Sequence, residues 1–118
     1  MQKRRKLKTA ERQQIYDMFD GHCAYCGCEI DYSEMQVDHI EPLELGGADE
    51  FNNMYPSCRS CNHYKHTLTI EKFRKQLEHM PNVLMRNNVT FRNAVRYGLI
   101  KFDKAKVVFY FERGNENV

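Results

Sequence analysis

Apolar residues recur at helical spacing toward both ends of the chain, whereas the middle shows only short extended runs. The first helical pattern covers Ala10–Phe19, and Thr9 is placed to cap it. Asp20-Gly21 then supplies a residue pair that ends helices. A single helix is therefore predicted near the N-terminus.

The middle of the chain predicts a hairpin, a long loop and a short helix. Ile30–Tyr32 and Met35–Ile40 are rich in residues that favour strands. The loop, Glu41–Ser57, contains Pro42 and Gly46-Gly47, which disfavour regular structure. A helix is expected from about Arg59 to His66.

The C-terminal part predicts two helices followed by a second hairpin. Thr69 is placed to cap a helix over Ile70–Met80, which Pro81 is expected to end. A further helix is predicted over Phe91–Tyr97, with Gly98 as its stop. Strands are predicted at Leu99–Phe102 and Lys106–Glu112, around Asp103-Lys104-Ala105. Within the second strand, Val107–Phe111 fits burial on both faces or an edge that pairs with a second copy.

With 118 residues, the chain can form one compact domain, or a small core with a packed extension. No apolar run approaches the roughly 20 residues of a membrane span, and the N-terminus lacks the apolar stretch of a signal peptide. The expected setting is therefore the cytoplasm, without a membrane partner.

Charge is unevenly distributed, although the formal net charge is only +2. The segment from Glu29 to Glu50 contains eight acidic residues and no Lys or Arg. Cationic side chains crowd the N-terminal end: Lys3, Arg4, Arg5, Lys6, Lys8 and Arg12. This arrangement suits a protein that contacts phosphates at one place and holds a cation at another, although a basic tail can also be merely solvated.

Four of the five cysteines form two Cys-x-x-Cys pairs, Cys23/Cys26 and Cys58/Cys61. In a reducing compartment such pairs usually hold tetrahedral zinc. A redox pair or a disulfide is the alternative, but a redox motif normally occurs once, within a βαβ pattern. Cys28 is interpreted as a spare thiol, and the zinc as structural.

Between and just after these pairs lies a set of residues suited to phosphodiester chemistry. Asp38-His39 ends an extended run, the Gly-Gly pair and Asn53 follow, and Asn62 comes directly after the last cysteine. From Cys23 to Lys65, about a third of the chain, this pattern resembles the HNH, or ββα-metal, endonuclease family, particularly its zinc-knuckle members from phages and bacteria. Neighbouring side chains on an extended segment point to opposite sides, so Asp38 and His39 need not bind the same ion.

The resemblance implies a role for each of these residues. Asp38 and Asn62 would bind a catalytic divalent ion, and their hard oxygen ligands favour Mg²⁺ or Mn²⁺. His39 would act as general base, because the ordinary imidazole pKa, about 6.5, lies near neutrality. Asn53 would hold the loop that orients His39.

The sequence departs from the letters H-N-H at the last position, where Asn62 stands in place of His. His63 is the competing ligand, but neighbours on a helix point about 100° apart, so both are not expected to bind. The basic arm, Arg12, Arg59 and Lys65 are candidates for phosphate contacts.

The expected fold is α+β: a ββα-metal core with a four-cysteine zinc site, an N-terminal helix and a C-terminal helical and β-strand extension. The expected parts are a basic arm over 1–8, the nuclease core over 9–66 and the extension over 67–118. The expected function is hydrolysis of DNA by a monomer or homodimer. Three alternatives stay open: a non-catalytic zinc module, a nuclease for branched DNA, and an RNA substrate.

Overall fold

The computed structural model describes residues 6–102 and 105–114. Seven regular elements lie in these ranges, besides three short 3₁₀ turns. In chain order the elements are α1 (Thr9–Asp17), β1 (Gln36–His39), β2 (Met54–Ser57), α2 (Arg59–Lys65), α3 (Ile70–Asn87), α4 (Val89–Arg96) and α5 (Tyr110–Arg113). The predicted arm residues Lys3, Arg4 and Arg5 and the turn residues Asp103-Lys104 lie outside the described ranges.

The central sheet is a long-range pair of antiparallel strands, followed directly by a helix. Strand β1 pairs with β2, with Gln36 opposite Ser57 and His39 opposite Met54. Cys58 then caps α2, because its Sγ accepts the backbone N–H of Cys61 at 3.4 Å. The order β1–β2–α2 is the ββα arrangement expected from the sequence.

The predicted hairpin of Ile30–Tyr32 with Met35–Ile40 is wrong. A 3₁₀ turn occupies Tyr32–Glu34, and the Ile30 N–H donates to the Gly21 carbonyl at 2.8 Å. The true partner of β1 lies in the second half of the segment predicted as loop. A strand-forming composition therefore identified β1, but it did not identify its partner.

Helix α1 starts at Thr9 instead of being capped by it. Its first turn is closed by Glu11, whose carboxylate accepts the backbone N–H of Lys8 at 3.2 Å. The Arg12 guanidinium donates to the carbonyls of Tyr32 and Met35 at 2.9 and 2.8 Å. Arg12 therefore has a structural role in joining α1 to the 3₁₀ turn, and its predicted contact with phosphate stays a prediction.

Aromatic residues form a core beside the first Cys-x-x-Cys pair. Tyr25 is 2% exposed, and its ring lies edge-to-face with Tyr55, Phe109 and Phe111. Backbone hydrogen bonds from Tyr110 to Tyr25 and from Phe111 to Ala24, at 2.9 and 2.8 Å, fix the C-terminal segment there. Residues 109–111 therefore belong to the core that carries the cysteines.

The extension is helical, and no strand follows Ser57 in the described residues. Both predicted C-terminal strands are therefore wrong: residues 101–109 are irregular where described, and α5 occupies part of the second strand. Helix α3 also continues through Pro81 to Asn87. Proline removes one helical hydrogen bond, but here the flanking turns outweigh that loss.

Two compact units divide the chain differently from the expected parts. Unit 1 comprises Met1–Ile70 and Val108–Val118, and unit 2 comprises Glu71–Val107. In unit 2, Asn88 caps α4 by accepting the Phe91 N–H at 2.9 Å, and Gly98 follows the helix with φ +74°. The predicted helix over Phe91–Tyr97 is thus present, beginning two residues earlier.

Candidate active site and zinc centre

The four paired cysteines converge on one point of unit 1. The Sγ atoms of Cys23, Cys26, Cys58 and Cys61 all lie within 4.8 Å of one another. Tetrahedral zinc with Zn–S bonds of ~2.3 Å places its sulfurs about 3.8 Å apart. The Sγ atoms of Cys26 and Cys58 are separated by 3.8 Å. The donor set and its spacing therefore fit a structural zinc ion, and all five cysteines are free thiols, with Cys28 outside the group.

Local hydrogen bonds polarise one of the four sulfurs, that of Cys23, toward the thiolate. The Cys23 sulfur accepts the backbone N–H of Tyr25 at 3.4 Å. A hydrogen bond from the Cys61 thiol lowers the pKa of Cys23 to about 4, against the opposing effect of burial. The same bond raises the pKa of Cys61. Since thiolates are the form that binds zinc, the polarised Cys23 sulfur is suited to a metal ligand.

Asp38 lies at the centre of a buried network of three side chains. Its carboxylate is 6% exposed, and Oδ2 accepts from the Tyr25 hydroxyl at 2.5 Å and from the Lys65 ammonium at 2.9 Å. Lys65 is fully buried and also donates to the His39 carbonyl at 3.0 Å. Burial and the Asp38 charge raise the pKa of Tyr25, which keeps its hydroxyl a donor.

This network orients the carboxylate without using both of its oxygens. Tyr25 and Lys65 both bind Oδ2, and no residue of 6–102 or 105–114 forms a hydrogen bond to Oδ1. Lys65 was a candidate for a phosphate contact, but its complete burial contradicts that role. Its position suits holding Asp38 instead.

His39 points away from Asp38, as expected for neighbours on a strand. Its Nε2 lies 2.8 Å from Oδ1 of Asp49, and both side chains are buried, at 7% and 5% exposure. An ionised carboxylate only accepts, so this contact requires the proton on Nε2. The neutral ring then has its lone pair on Nδ1.

The loop that contains Asp49 is held by Asn53. The Asn53 amide donates to the carbonyls of Glu41 and Ala48 at 3.0 and 2.8 Å, and its oxygen accepts the Glu41 N–H at 2.9 Å. Gly47 allows the loop to fold this tightly, because a Cβ atom there would lie 1.9 Å from the Glu41 carbonyl oxygen. These contacts fix the loop one residue before Asp49.

Asn62 lies in the first half of α2, three residues before Lys65. Residues at this spacing are neighbours on one face of a helix, with Cβ atoms about 5–6 Å apart. Because Lys65 binds Asp38, Asn62 stands one helical turn from a side chain that contacts the carboxylate. In the described parts of the chain, the Asn62 side chain forms no hydrogen bond. His63 is exposed, and its ring contacts Tyr64.

A family model described as HNH endonuclease matches residues 23–68, which contain the four paired cysteines, the strand pair and α2. This segment is therefore similar to HNH endonuclease domains, and we call it the HNH domain. The SPbeta prophage-derived protein YoqL of Bacillus subtilis (strain 168), named as an HNH endonuclease, is 30% identical over 79 residues, which are 60% of this chain and 34% of that protein. The chain thus spans about a third of the length of this curated relative.

One solved structure supports the fold of the HNH domain. The Type II-C Cas9 enzyme from Actinomyces naeslundii is similar with a TM-score of 0.53 and 24% identity, over 64% of this chain and 8% of that chain. At this identity the similarity concerns the fold alone. No helix within 6–102 or 105–114 has the length and apolar character needed to cross a membrane.

Sequence reasoning missed Asp49 and the orienting roles of Tyr25 and Lys65. In the sequence, Asp49 is one of the eight acidic residues between Glu29 and Glu50, and Tyr25 simply lies inside the first Cys-x-x-Cys pair. A partial signal exists for Lys65, since it follows Asn62 at a spacing that places both on one helix face. No pattern in the sequence places Asp49 beside His39, because that contact depends on the path of the loop.

Proposed function

We propose that the HNH domain hydrolyses DNA phosphodiester bonds, with His39 as general base and with Asp38 and Asn62 as ligands of one divalent cation. The observation that carries this proposal is the separate anchoring of two neighbouring side chains. Asp38 is held by Tyr25 and Lys65, whereas His39 is held by Asp49. A metal ligand and a proton acceptor are therefore fixed on opposite sides of the same strand.

The chemistry of the donors supports a hard cation at this site. Asp38 offers Oδ1 and Asn62 offers its amide oxygen, and such oxygens suit Mg²⁺ or Mn²⁺. A cation held there supplies electrostatic stabilisation of the charge that develops on the phosphate and on the leaving 3′ oxygen. Lys65, behind Asp38, compensates part of the carboxylate charge and keeps its direction fixed.

On the other side of the strand, His39 takes a proton from the attacking water at Nδ1. The Asp49 carboxylate holds Nε2–H, which selects the tautomer with the lone pair on Nδ1. It also stabilises the imidazolium that forms. Asn53 keeps the intervening loop in place, so that its role is positioning and not proton transfer.

The test is cleavage of supercoiled plasmid by the zinc-loaded full chain, with and without added Mg²⁺ or Mn²⁺. Wild type should give relaxed or linear DNA only with the added ion. His39→Ala should lower the rate by roughly 10²- to 10⁴-fold, the usual contribution of a general base. Asn62→Ala should require a higher metal concentration, while His63→Ala, a matched exposed neighbour on α2, should behave like wild type.

Two results would contradict this assignment. Cleavage that survives His39→Ala unchanged would exclude the mechanism, and a higher metal requirement in His63→Ala instead of Asn62→Ala would move the ligand by one position. A folded, zinc-loaded wild type that spares plasmid but cuts a four-way junction would favour a nuclease for branched DNA.

A further inference from the structure

The two units carry formal charges of opposite sign. Unit 2 contains nine Lys and Arg residues and three Asp and Glu residues, a net charge of +6. Unit 1 contains nine basic and thirteen acidic residues, a net charge of −4, although it includes the HNH domain. At long range, unit 1 therefore repels a polyanion, and attraction for DNA has to come largely from elsewhere.

Within unit 2, exposed basic residues lie along one face of α3. An α-helix turns by about 100° per residue, so the four basic side chains named below fall within an arc of about 60° around the axis of α3. Along the axis, the first and the last of them are about 21 Å apart. We call this surface the α3 basic face. It consists of Lys72, Lys75, His79 and Arg86, all exposed.

The remaining face of α3 has a different composition. Phe73 is buried, and Leu77 and Met80 are half-buried, at positions at least about 80° from any member of the α3 basic face. The two acidic residues of α3 lie outside the arc as well: Glu71 binds the Arg74 guanidinium at 3.0 Å, and Glu78 accepts the Val107 N–H at 2.9 Å. Acidic side chains therefore do not interrupt the α3 basic face.

Two arginines of unit 2 lie outside this face and have structural contacts. The Arg74 guanidinium also donates to the Val107 carbonyl at 2.7 Å. Arg92 donates to the carbonyls of Met85 and Arg86 at 3.0 and 2.8 Å, which satisfies the end of α3. The structure thus separates arginines that hold unit 2 together from the cations arranged on the exposed side of α3.

We propose that the α3 basic face binds the phosphate backbone of the DNA substrate, an inference that rests on the proposed nuclease function. A row of basic residues about 21 Å long matches the span of about six base pairs of duplex, at 3.4 Å per step. Lys and Arg contacts to phosphates supply affinity and orientation without reading bases. Unit 2 therefore adds phosphate affinity to a unit 1 whose net charge is negative.

The experiment measures binding separately from cleavage. Zinc-loaded full chain, without added divalent ion, is titrated onto a fluorescent 25-base-pair duplex at several salt concentrations. Lys75→Gln/Arg86→Gln removes two charges from the α3 basic face. Lys101→Gln/Lys106→Gln removes two exposed charges of the same unit from outside this face and is the matched control.

In Lys75→Gln/Arg86→Gln, the negative slope of the logarithm of the binding constant against the logarithm of salt concentration should become shallower by about 1.8. Binding should weaken about 60-fold at 0.1 M salt. At saturating DNA its kcat should stay near the wild-type value while KM rises. Equal losses in both double variants would show that only net charge matters and would overturn the proposal, as would wild-type binding by the first variant. Wild type that binds in this way but never cleaves would instead contradict the proposed function.

Discussion

Replacing Lys65 with methionine should destabilise unit 1 strongly, although the two side chains are similar in length. The Lys65 ammonium lies 2.9 Å from Asp38 Oδ2, and the two side chains are 0% and 6% exposed. Removing one partner of a buried ion pair leaves the other charge without compensation and typically costs about 3–5 kcal/mol. The Lys65→Met variant should therefore lose about 3 kcal/mol or more in the free energy of unfolding.

A double-mutant cycle separates the ion pair from the other contacts of Lys65. Asp38→Asn should also be destabilising, because it leaves the buried ammonium without a carboxylate. When both changes are combined, no unpaired charge remains, so the double variant should be more stable than the sum of the single losses predicts, by about 2 kcal/mol. The lost hydrogen bond to the His39 carbonyl prevents a complete recovery.

The assay is urea unfolding of the zinc-loaded chain, followed by far-ultraviolet circular dichroism. Lys101→Met is the control, because Lys101 is exposed and its replacement should change stability by less than about 0.5 kcal/mol. Lys65→Met within about 1 kcal/mol of wild type would refute the argument. Strictly additive effects of the two substitutions would show that the buried pair is not the source of the loss.

Three further changes test other parts of the site. Asp49→Asn should lower kcat for plasmid cleavage roughly 10-fold or more with little change in KM, and a rise in KM alone would refute its role in orienting His39. Gly47→Ala should lower the free energy of unfolding by about 1–3 kcal/mol, because its Cβ would lie 1.9 Å from the Glu41 carbonyl oxygen. An unchanged midpoint of urea unfolding would contradict this. Cys58→Ser should lose zinc and the helical signal of unit 1, whereas Cys28→Ser should retain one zinc per chain by atomic absorption; equal loss in both would reassign the ligands.

Within the HNH domain, local sequence patterns predicted where helices and strands lie better than they predicted which strands pair. The helix after the second cysteine pair was expected over about Arg59–His66 and covers Arg59–Lys65, because a cysteine cap and helical residues are adjacent in sequence. The partner of β1 was not predicted, since Met54–Ser57 is separated from it by a loop. Strand composition carries no information about which distant segment completes the sheet.

The errors in the C-terminal extension have a different origin. Pro81 was expected to end α3 because proline lacks an N–H, yet the helix continues for six residues beyond it. The aromatic run near the C-terminus predicted a strand, but Phe109 instead enters the core beside Tyr25, and α5 follows. For the aromatic run, packing in the core outweighs the strand preference of its residues, whereas α3 continues through Pro81 although most of the residues after it are exposed.

Residues that orient the site are hidden from sequence patterns because their role depends on burial. Lys65 has the composition of a surface phosphate ligand, but inside unit 1 the same ammonium neutralises Asp38 and directs Oδ2 inward. Asp49 similarly belongs to a run of acids that would repel DNA if all were exposed, yet its carboxylate is buried against His39. Asp38 and Asp49 are both buried beside positive or proton-donating partners. A count of the acidic residues between Glu29 and Glu50 therefore overstates the electrostatic repulsion that DNA meets near His39. The attraction of the α3 basic face for DNA then has less electrostatic repulsion to overcome than the sequence alone implies.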